Sequence, residues 1–566
     1  MPGPDNDLVT RIATQVAVLH ADPAVRAGLT ADLVALAESH RDAIAARGTA
    51  PLTAGSSYLI TYGDSFVRPG EAPLATLRTI VDGVIGDAIS TIHLLPMFPW
   101  TSDDGFAVVD YRAVNPALGT WDDIARLGEH HGLMFDFVAN HVSASSPWFH
   151  GWLAGDGRYA GYFFSPGPDF DTSRVVRPRT TPLVHEYPRP DGTVATAWTT
   201  FSADQVDVNV ATPAVLLDLT DVLLGYIAAG ADTVRLDAIG FLWKESGTTC
   251  LHRPATHAVI KIWRAILDEI APGARLLTET NVPHADNVSY FGNGADEAHM
   301  VYQFSLPPLV LHSFATGDAS RLSDWAAGLE DLGTTATWFN FLASHDGIGM
   351  RPVVGLLTPS ERQALVDLVV SHGGRASYAT EPDGSRSVYE LNVSYLDALM
   401  DPEHSGDSHH AVTRALAAHA ILLSMIGVPA IYYHSLFGSS HDIVGMESSG
   451  INRRINRKQL EADALLAELD ISPRRRDIFA GLTRMLRVRA LQPAFDPFSP
   501  QRVLDLGPAI FAVRRGAGPG SVVAVINVSG ADAEVAGVSG TDLLTGTRHE
   551  ARLTLPADGV VWLAQD

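Results

Sequence analysis

Three carboxylate residues lie in segments whose composition suits sugar chemistry. Asp237 follows Arg235 by two residues in VRLDA, so both side chains project from one face of a predicted strand. A neighbouring cation keeps a carboxylate ionised, and an ionised carboxylate can attack an oxocarbenium-like carbon. A structural ion pair explains the same two residues equally well, so this pattern alone does not decide between the two interpretations.

The other two carboxylates follow further apolar segments. Glu279 ends ARLLTE, where poor solvation would raise the pKa of its carboxyl and keep it protonated as a proton donor. His345 and Asp346 are adjacent in SHDG, a pair suited to holding sugar hydroxyls and stabilising positive charge. The alternatives are a surface glutamate and a Ser-His-Asp hydrolase. The absence of a GxSxG segment disfavours the hydrolase.

Eight short apolar segments, which alternate with helical stretches, must position these residues. They are SSYLITYG, STIHLLPMF, GLMFDFVANH, ADTVRLDAIG, ARLLTETNV, EAHMVYQF, ATWFNFLASHD and PAIYYHSL. Apolar strands that alternate with helices imply a parallel sheet, and eight of them imply a closed (β/α)₈ TIM barrel. Asp237, Glu279 and Asp346 fall at or just past the carboxyl ends of strands, where barrel enzymes build their sites.

Further segments surround the predicted barrel in this α/β fold. Residues 142–213 and a stretch near 347–410 are too long for ordinary connections and predict insertions that cap the site. Short alternating strands separated by glycines predict an antiparallel β domain at residues 495–566. The expected order is an N-terminal helical extension at 1–55, barrel at 56–141, inserted domain at 142–213, barrel at 214–494 and the β domain at 495–566.

Composition narrows the classes of function. The chain has 566 residues, of which 46% are hydrophobic and 18% charged, which indicates a large core. A net charge of −24 disfavours nucleic acid and membranes as partners, although local arginines can still hold a small anion. Cys250 is the only cysteine, which excludes an intramolecular disulfide and fits a reducing compartment. Because the N-terminal segment lacks a basic region followed by a long apolar run, we expect a cytoplasmic location.

Taken together and in order, these segments resemble the α-amylase superfamily, glycoside hydrolase family 13. DFVANH, RLDAIG, LLTETNV and ASHD resemble its catalytic motifs, and QVDVN resembles a motif of its inserted B domain. The resemblance implies a retaining enzyme with Asp237 as nucleophile, Glu279 as general acid/base and Asp346 as the stabilising third carboxylate. It also implies that three more residues contact the sugar: His141, Arg235 and His345.

Finer features resemble the sucrose phosphorylase subfamily. RLDAIGFLWKESGTTC, LPPLVLHSFATGD, SHDGIG, SDDGF and INRRINR carry this similarity. By analogy, Asp104, Phe106 and Arg453 complete a glucose pocket in which the aspartate and the arginine hold distal hydroxyls. A phosphorylase also needs arginine to bind phosphate, and the RPR segment makes Arg179 the first choice and Arg177 the second. A solvated loop charge is the alternative for these two arginines.

The acceptor segments depart from the sucrose-specific pattern. Asn281 stands where sucrose phosphorylases have a histidine, Val176 where they have a tyrosine, and Ser387 where an aspartate contacts fructose. ETNVPH, which ends in His284, and the helical extension are instead similar to glucosylglycerate phosphorylases of the same subfamily. We therefore expect conversion of 2-O-α-glucosylglycerate and phosphate into α-glucose 1-phosphate and glycerate, with Asn281 and His284 among the substrate-binding residues.

Other functions remain open at this point. They are a sucrose or glucosylglycerol phosphorylase, a hydrolytic α-glucosidase, and a non-catalytic subunit of a transporter. The last would need a membrane anchor and damaged carboxylates, and we find neither in the sequence. The expected partners are a small-molecule glucoside and inorganic phosphate, with no cofactor, metal, nucleic acid or membrane. The sequence leaves open whether the chain forms a homodimer.

Overall fold

Eight parallel strands close into a barrel in which each strand pairs with its neighbours in the chain. The computed structural model describes residues 7–45, 48–330, 332–380, 384–400 and 408–565. This topology confirms the predicted (β/α)₈ barrel. The strands are β1 (Tyr58–Thr61), β2 (Thr91–Leu94), β3 (Gly132–Phe137), β4 (Thr233–Leu236), β5 (Arg275–Thr278), β6 (Met300–Tyr302), β7 (Thr337–Asn340) and β8 (Val428–Tyr432).

Burial explains why these strands read as continuous apolar segments. Nearly all of their residues are buried, because side chains fill the barrel on one face and helices cover the other. The helices between and after the strands are Pro73–Ile80, Trp121–Leu127, Pro213–Ala228, Pro254–Ile270, Leu306–Thr316, Ser320–Ala327, Ser408–Ser424 and Pro473–Ala490.

The register between neighbouring strands determines how far along the barrel axis the residues after each strand lie. Leu236 on β4 is paired with Thr278 on β5. Asp237 and Glu279, the next residues of each strand, therefore leave the barrel side by side. The backbone N–H of Glu279 donates to the carbonyl of Leu236 at 3.1 Å, which fixes this alignment.

Two helices precede the barrel and pack on its outer surface. α1 (Leu8–Leu19) contacts the helix Pro254–Ile270, and α2 (Pro23–Ala45) contacts the helix Pro213–Ala228. The buried side chains of α1 recur at helical spacing and form an apolar stripe that faces the barrel helix. The extension thus covers a side of the barrel rather than its mouth.

Two long connections lie over the carboxyl ends of the strands. The first contains the helix Pro147–Leu153, a hairpin and a second strand pair. Its strands are His141–Ser143, Val184–Pro188, Val194–Trp198 and Gln205–Asp207. The second contains a three-stranded sheet and two helices, namely Ile348–Gly349, Pro359–Ser371, Arg375–Thr380, Arg386–Asn392 and Tyr395–Ala398. A bridge between Arg177 and Thr380 joins the two connections above the barrel.

An antiparallel β region follows the barrel. Its six-stranded sheet contains Gln501–Val503, Ile510–Arg515, Val522–Asn527, Val560–Ala564, Gly540–Asp542 and Arg548–His549, and a second sheet pairs Ala533–Ala536 with Arg552–Leu555. The remaining helices and strands are Phe66–Val67, His284–Val288, Tyr433–Leu436, Ile443–Ser449, Leu460–Glu461 and Ala462–Ile471.

Parts of the predicted extension and second insertion lie outside the described residues, namely 1–6, 46–47, 381–383 and 401–407. Within the part of the chain that the structure describes, no helix has the length and apolar character needed to cross a membrane.

Candidate active site

A cavity opens at the carboxyl ends of the barrel strands, beneath the two insertions. It brings together most of the residues that the sequence singled out. Nine of them line it: Phe106, His141, Arg179, Asp237, Glu279, Asn281, His345, Asp346 and Arg453. The barrel supplies the carboxylates, and the insertions supply much of the opposite wall.

Asp237 lies directly above a buried arginine. Arg235 donates to the carboxylate at 2.7 Å and also pairs with Asp136, and its side chain is only 2% exposed. Burial raises the pKa of Asp237, and the guanidinium of Arg235 opposes that rise by favouring the ionised form. Arg235 lies beneath Asp237 and does not line the cavity, so the contact that the structure shows is with the carboxylate, and the contact with the sugar stays a prediction.

Glu279 is held beside Asp237 by the backbone. The N–H of Ala238 donates to Oε2 of Glu279 at 3.0 Å. Ala238 has a φ of 49°, a left-handed conformation that costs an alanine about 1 to 3 kcal/mol and is typical of active-site turns. Burial raises the pKa of Glu279, with a further rise from the charge of Asp346. The carboxyl of Glu279 is therefore suited to carrying a proton.

Asp346 belongs to a buried network with two other charged residues. Arg453 lies 2.6 Å from Asp346 and also donates to both carboxylate oxygens of Glu390, each at 2.8 Å. Burial acts to raise the pKa of Asp346, but Arg453 and Arg457 outweigh it, and the net pKa lies below its ordinary value. Asp346 is thus ionised at neutral pH, whereas burial favours the protonated form of Glu279.

Two histidines face the cavity near these carboxylates. The ring of His345 stacks on Phe106 with centroids 4.8 Å apart and planes within 6°. Nε2 of His141 lies 3.0 Å from the carbonyl oxygen of Phe106. Burial lowers the pKa of both histidines, so each is neutral and can donate or accept a hydrogen bond to a hydroxyl.

Arg179 enters the cavity from the first insertion. Its guanidinium lies over the rings of Tyr389 and Phe201, at 5.5 and 5.8 Å from their centroids. Among the described residues, its side chain has no hydrogen-bond or ion-pair partner. Arg177, the second choice from the sequence, lies outside the cavity lining and donates to the carbonyl of Thr181 at 2.5 Å.

Two other predicted binding residues do not line the cavity. Asp104 pairs with Arg457 at 2.9 Å, and its neighbour Asp103 lines the cavity instead. Both aspartates have positive φ, of 54° and 49°, and this tight turn directs successive side chains differently. His284 begins a short helix and stacks on Trp338 at 5.6 Å, away from the cavity.

Comparison with known proteins agrees with this geometry. Residues 85–367 match the family described as "Alpha amylase, catalytic domain". The chain belongs to the α-amylase family. This confirms the resemblance on which the site prediction was based.

Three members of the α-amylase family show where this chain lies within it. A protein of Allomeiothermus silvanus named Glucosylglycerate phosphorylase is 48% identical, over 86% of this chain and 87% of its own length. A Sucrose phosphorylase of Agrobacterium vitis is 32% identical, over 78% of this chain and 89% of its own. The crystal structure of sucrose 6F-phosphate phosphorylase from Thermoanaerobacter thermosaccharolyticum superposes with a TM-score of 0.73 at 25% identity, and covers 84% of this chain and 94% of that one.

Several lining residues of this α-amylase family member escaped the sequence reasoning. They are Asp103, Gln205, Arg351, Tyr389 and Glu390. The first two lie within quoted motifs, SDDGF and QVDVN, so a closer reading of those motifs could have included them. The other three come from the second insertion. The alternation of strands and helices in the sequence does not predict how this insertion folds over the barrel.

A buried lysine fastens the first insertion to the barrel. Nζ of Lys244 lies 2.6 Å from the carboxylate of Asp207 and 2.8 Å from the amide oxygen of Asn140. The Lys244 side chain is 2% exposed and that of Asp207 is fully buried. One ammonium group therefore holds the last strand of the insertion against the end of β3.

We expect Lys244→Met to destabilise this junction strongly, because it leaves the Asp207 carboxylate buried without its cation. Loss of one partner of a buried ion pair costs about 3 to 5 kcal/mol. This loss of stability should appear as a clear drop in the melting temperature of the variant. Lys261→Met is the matched control, since Lys261 pairs with Asp296 near the surface at 25% exposure and contributes about 0 to 1 kcal/mol. Equal melting temperatures for the two variants would contradict this role for Lys244.

Proposed function

We propose that this protein is a retaining glucosylglycerate phosphorylase. It transfers the glucosyl group of 2-O-α-glucosylglycerate to inorganic phosphate and yields α-glucose 1-phosphate and glycerate. The main supporting observation is the guanidinium of Arg179, which reaches the cavity that holds Asp237 and Glu279 and has no acidic partner among the described residues. An arginine without an acidic partner in an otherwise acidic site is suited to an anionic substrate.

In the first step, Asp237 attacks the anomeric carbon while Glu279 protonates the departing glycerate oxygen. The C–O bond to glycerate breaks and a bond from the carbon to the Asp237 carboxylate forms. Arg235 favours the ionised form of the nucleophile, and burial favours the protonated form of Glu279. Asp346 remains ionised and stabilises the positive charge that develops on the sugar ring.

In the second step, phosphate replaces glycerate beside the glucosyl enzyme. Glu279, now ionised, accepts a proton from the attacking phosphate oxygen, and the bond to Asp237 breaks. Two inversions at the anomeric carbon restore its α configuration. Arg179 lies near Asp346 and Glu390, whose carboxyl pKa values its charge lowers, and offsets the repulsion that these carboxylates exert on phosphate.

The pocket around the glucosyl group is assembled from the barrel end. We propose that Phe106 packs against the sugar ring and that His141 and His345 hold its hydroxyls. Asp103 takes the place that the sequence had given to Asp104, since Asp103 lines the cavity. Arg453 acts mainly through Asp346, because its guanidinium is already bound by Asp346 and Glu390.

The acceptor is the feature that separates this proposal from a sucrose or glucosylglycerol phosphorylase. The relative named Glucosylglycerate phosphorylase is 48% identical, against 32% for the Sucrose phosphorylase. Fructose and glycerol are uncharged, so a phosphorylase that releases either of them needs an arginine for phosphate alone. A hydrolase would gain nothing from Arg179, because water carries no charge.

We expect D-glycerate to be a far better acceptor from α-glucose 1-phosphate than fructose or glycerol, since only glycerate can pair with an arginine. Side-by-side initial rates at equal concentrations measure this preference. In the reverse direction, glucosylglycerate cleavage should require phosphate and yield the α anomer. Faster transfer to fructose would favour a sucrose phosphorylase, glucose release without phosphate would favour an α-glucosidase, and a β anomer would contradict the retaining mechanism.

Several features of the protein stay predictions. These are the cytoplasmic location, the exclusion of nucleic acid as a partner, a homodimer, and the division into an extension, barrel, B domain and C-terminal β domain. Light scattering of the purified chain would measure its oligomeric state.

A further inference from the structure

Arg351 is a second unpaired arginine in the cavity, and no motif of the sequence pointed to it. We propose that Arg351 binds the carboxylate of the glycerate acceptor, while Arg179 serves phosphate. The inference rests on the proposed function, because it concerns the acceptor of that reaction. It assigns Arg351 as a residue that determines specificity.

Charge balance makes an unpaired arginine at this place unusual. More acidic side chains than arginines line the cavity, and the third lining arginine, Arg453, is bound by Asp346 and Glu390. Among the described residues, the Arg351 side chain forms neither a hydrogen bond nor an ion pair. Arg351 is half-buried and lines the same cavity as the carboxylates, and a guanidinium bound to none of the described ones is available to a ligand anion.

The backbone that leads to Arg351 runs beside Asn281, two residues after the proposed general acid Glu279. A Cβ on Gly349 would lie only 2.5 Å from Oδ1 of Asn281, so the strand that leads to Arg351 runs directly against Asn281. Asn281 follows Glu279 by two residues and also lines the cavity. The N–H of Met350 donates to the carbonyl of Tyr389 at 3.0 Å, which fixes the chain immediately before Arg351.

The chemistry of the two anions favours separate cations. In phosphate, the charged oxygens are two bonds from the oxygen that is transferred, whereas in 2-O-glucosylglycerate the carboxylate oxygens are three bonds away. Arg179 acts on Asp346 and Glu390, whereas the charge of Arg351 acts on His252. Arg179 belongs to the first insertion and Arg351 to the second, so the two guanidinium groups reach the cavity on different segments and each can meet one anion.

The test compares Arg351→Gln with the unmodified enzyme and with Arg179→Gln. Initial rates give KM for D-glycerate with α-glucose 1-phosphate as donor, and KM for phosphate with glucosylglycerate. We expect Arg351→Gln to raise the KM for D-glycerate about 10- to 150-fold, the effect of one charge-assisted hydrogen bond, with a smaller change for phosphate. Arg179→Gln should show the reverse order, and Arg351→Lys should recover part of the loss.

Arg386→Gln is the charge-matched control. Arg386 is exposed at the start of a strand in the same insertion and does not line the cavity, so its loss should leave both KM values unchanged. Release of 4-nitrophenol from 4-nitrophenyl α-glucoside, whose leaving group has no carboxylate, shows that each variant is folded and can form the glucosyl enzyme.

Two outcomes overturn the assignment of Arg351 alone: an unchanged KM for D-glycerate in Arg351→Gln, or equal losses for D-glycerate and phosphate. If the unmodified enzyme does not transfer glucose to D-glycerate, the proposed function fails, and this inference fails with it. A loss confined to D-glycerate, with partial recovery by lysine, supports both.

Discussion

Asp237→Ala should abolish glucosyl transfer, with a loss on the order of 10⁴- to 10⁶-fold, as for other covalent nucleophiles. The reason is that no other described carboxylate shares the position above Arg235 at the end of β4. The fold should survive, because Arg235 keeps its pair with Asp136. Initial rates of phosphorolysis and the melting temperature measure the two effects.

Adding azide, a small external nucleophile, to Asp237→Ala shows whether the variant has lost only its nucleophile or whether the rest of the active site is also damaged. Azide should enter the space left by the Asp237 side chain and attack the anomeric carbon from the same face. The product should then be β-glucosyl azide, since only one inversion takes place. Recovery of the α anomer, or a residual rate above about one hundredth of normal, would contradict the role of Asp237 as the covalent nucleophile.

Glu279→Gln should slow glucosylglycerate phosphorolysis about 10²- to 10⁴-fold, the usual contribution of a general acid. The glutamine oxygen can still accept the N–H of Ala238, so the geometry is kept while the transferable proton is lost. α-Glucosyl fluoride needs no protonation of its leaving group, and its use should be reduced far less. Equal losses of rate on the two donors would show that Glu279 is not the general acid.

The pH dependence gives an independent check on Glu279. The first step needs the protonated carboxyl, so activity falls as the pH rises through the pKa of Glu279. Because burial raises that pKa, the fall should occur at higher pH than for an ordinary glutamate. With α-glucosyl fluoride as donor, the alkaline fall in kcat/KM should be absent from the unmodified enzyme as well as from Glu279→Gln, since the first step then needs no proton.

The sequence by itself determined the barrel and the three carboxylates. Strand periodicity placed all eight strands, because buried parallel strands are continuously apolar and each ends in polar residues at one rim. Asp237 and Glu279 are the first residues after their strands and Asp346 lies six residues past the end of β7, and all three line the cavity. Their roles remain predictions that the variants above test.

The tertiary structure alone decided which side chains near those carboxylates reach the cavity. Arg235 lies beneath Asp237, where it also pairs with Asp136. Asp103 lines the cavity and Asp104 does not, and both lie in a tight turn with positive φ. Motif matching names a position in the chain but carries no information on where a side chain points after a turn.

The positions of Arg179 and Arg351 in the cavity likewise could not be predicted from the sequence, because the two residues lie far apart in the chain. They belong to different insertions, separated in sequence by four of the eight barrel strands, and they meet in one cavity only because both insertions fold over its mouth. Nothing local indicates whether an arginine will find an acidic partner. That depends on the packing of distant segments, so only the folded structure shows which guanidinium groups are left free for an anion.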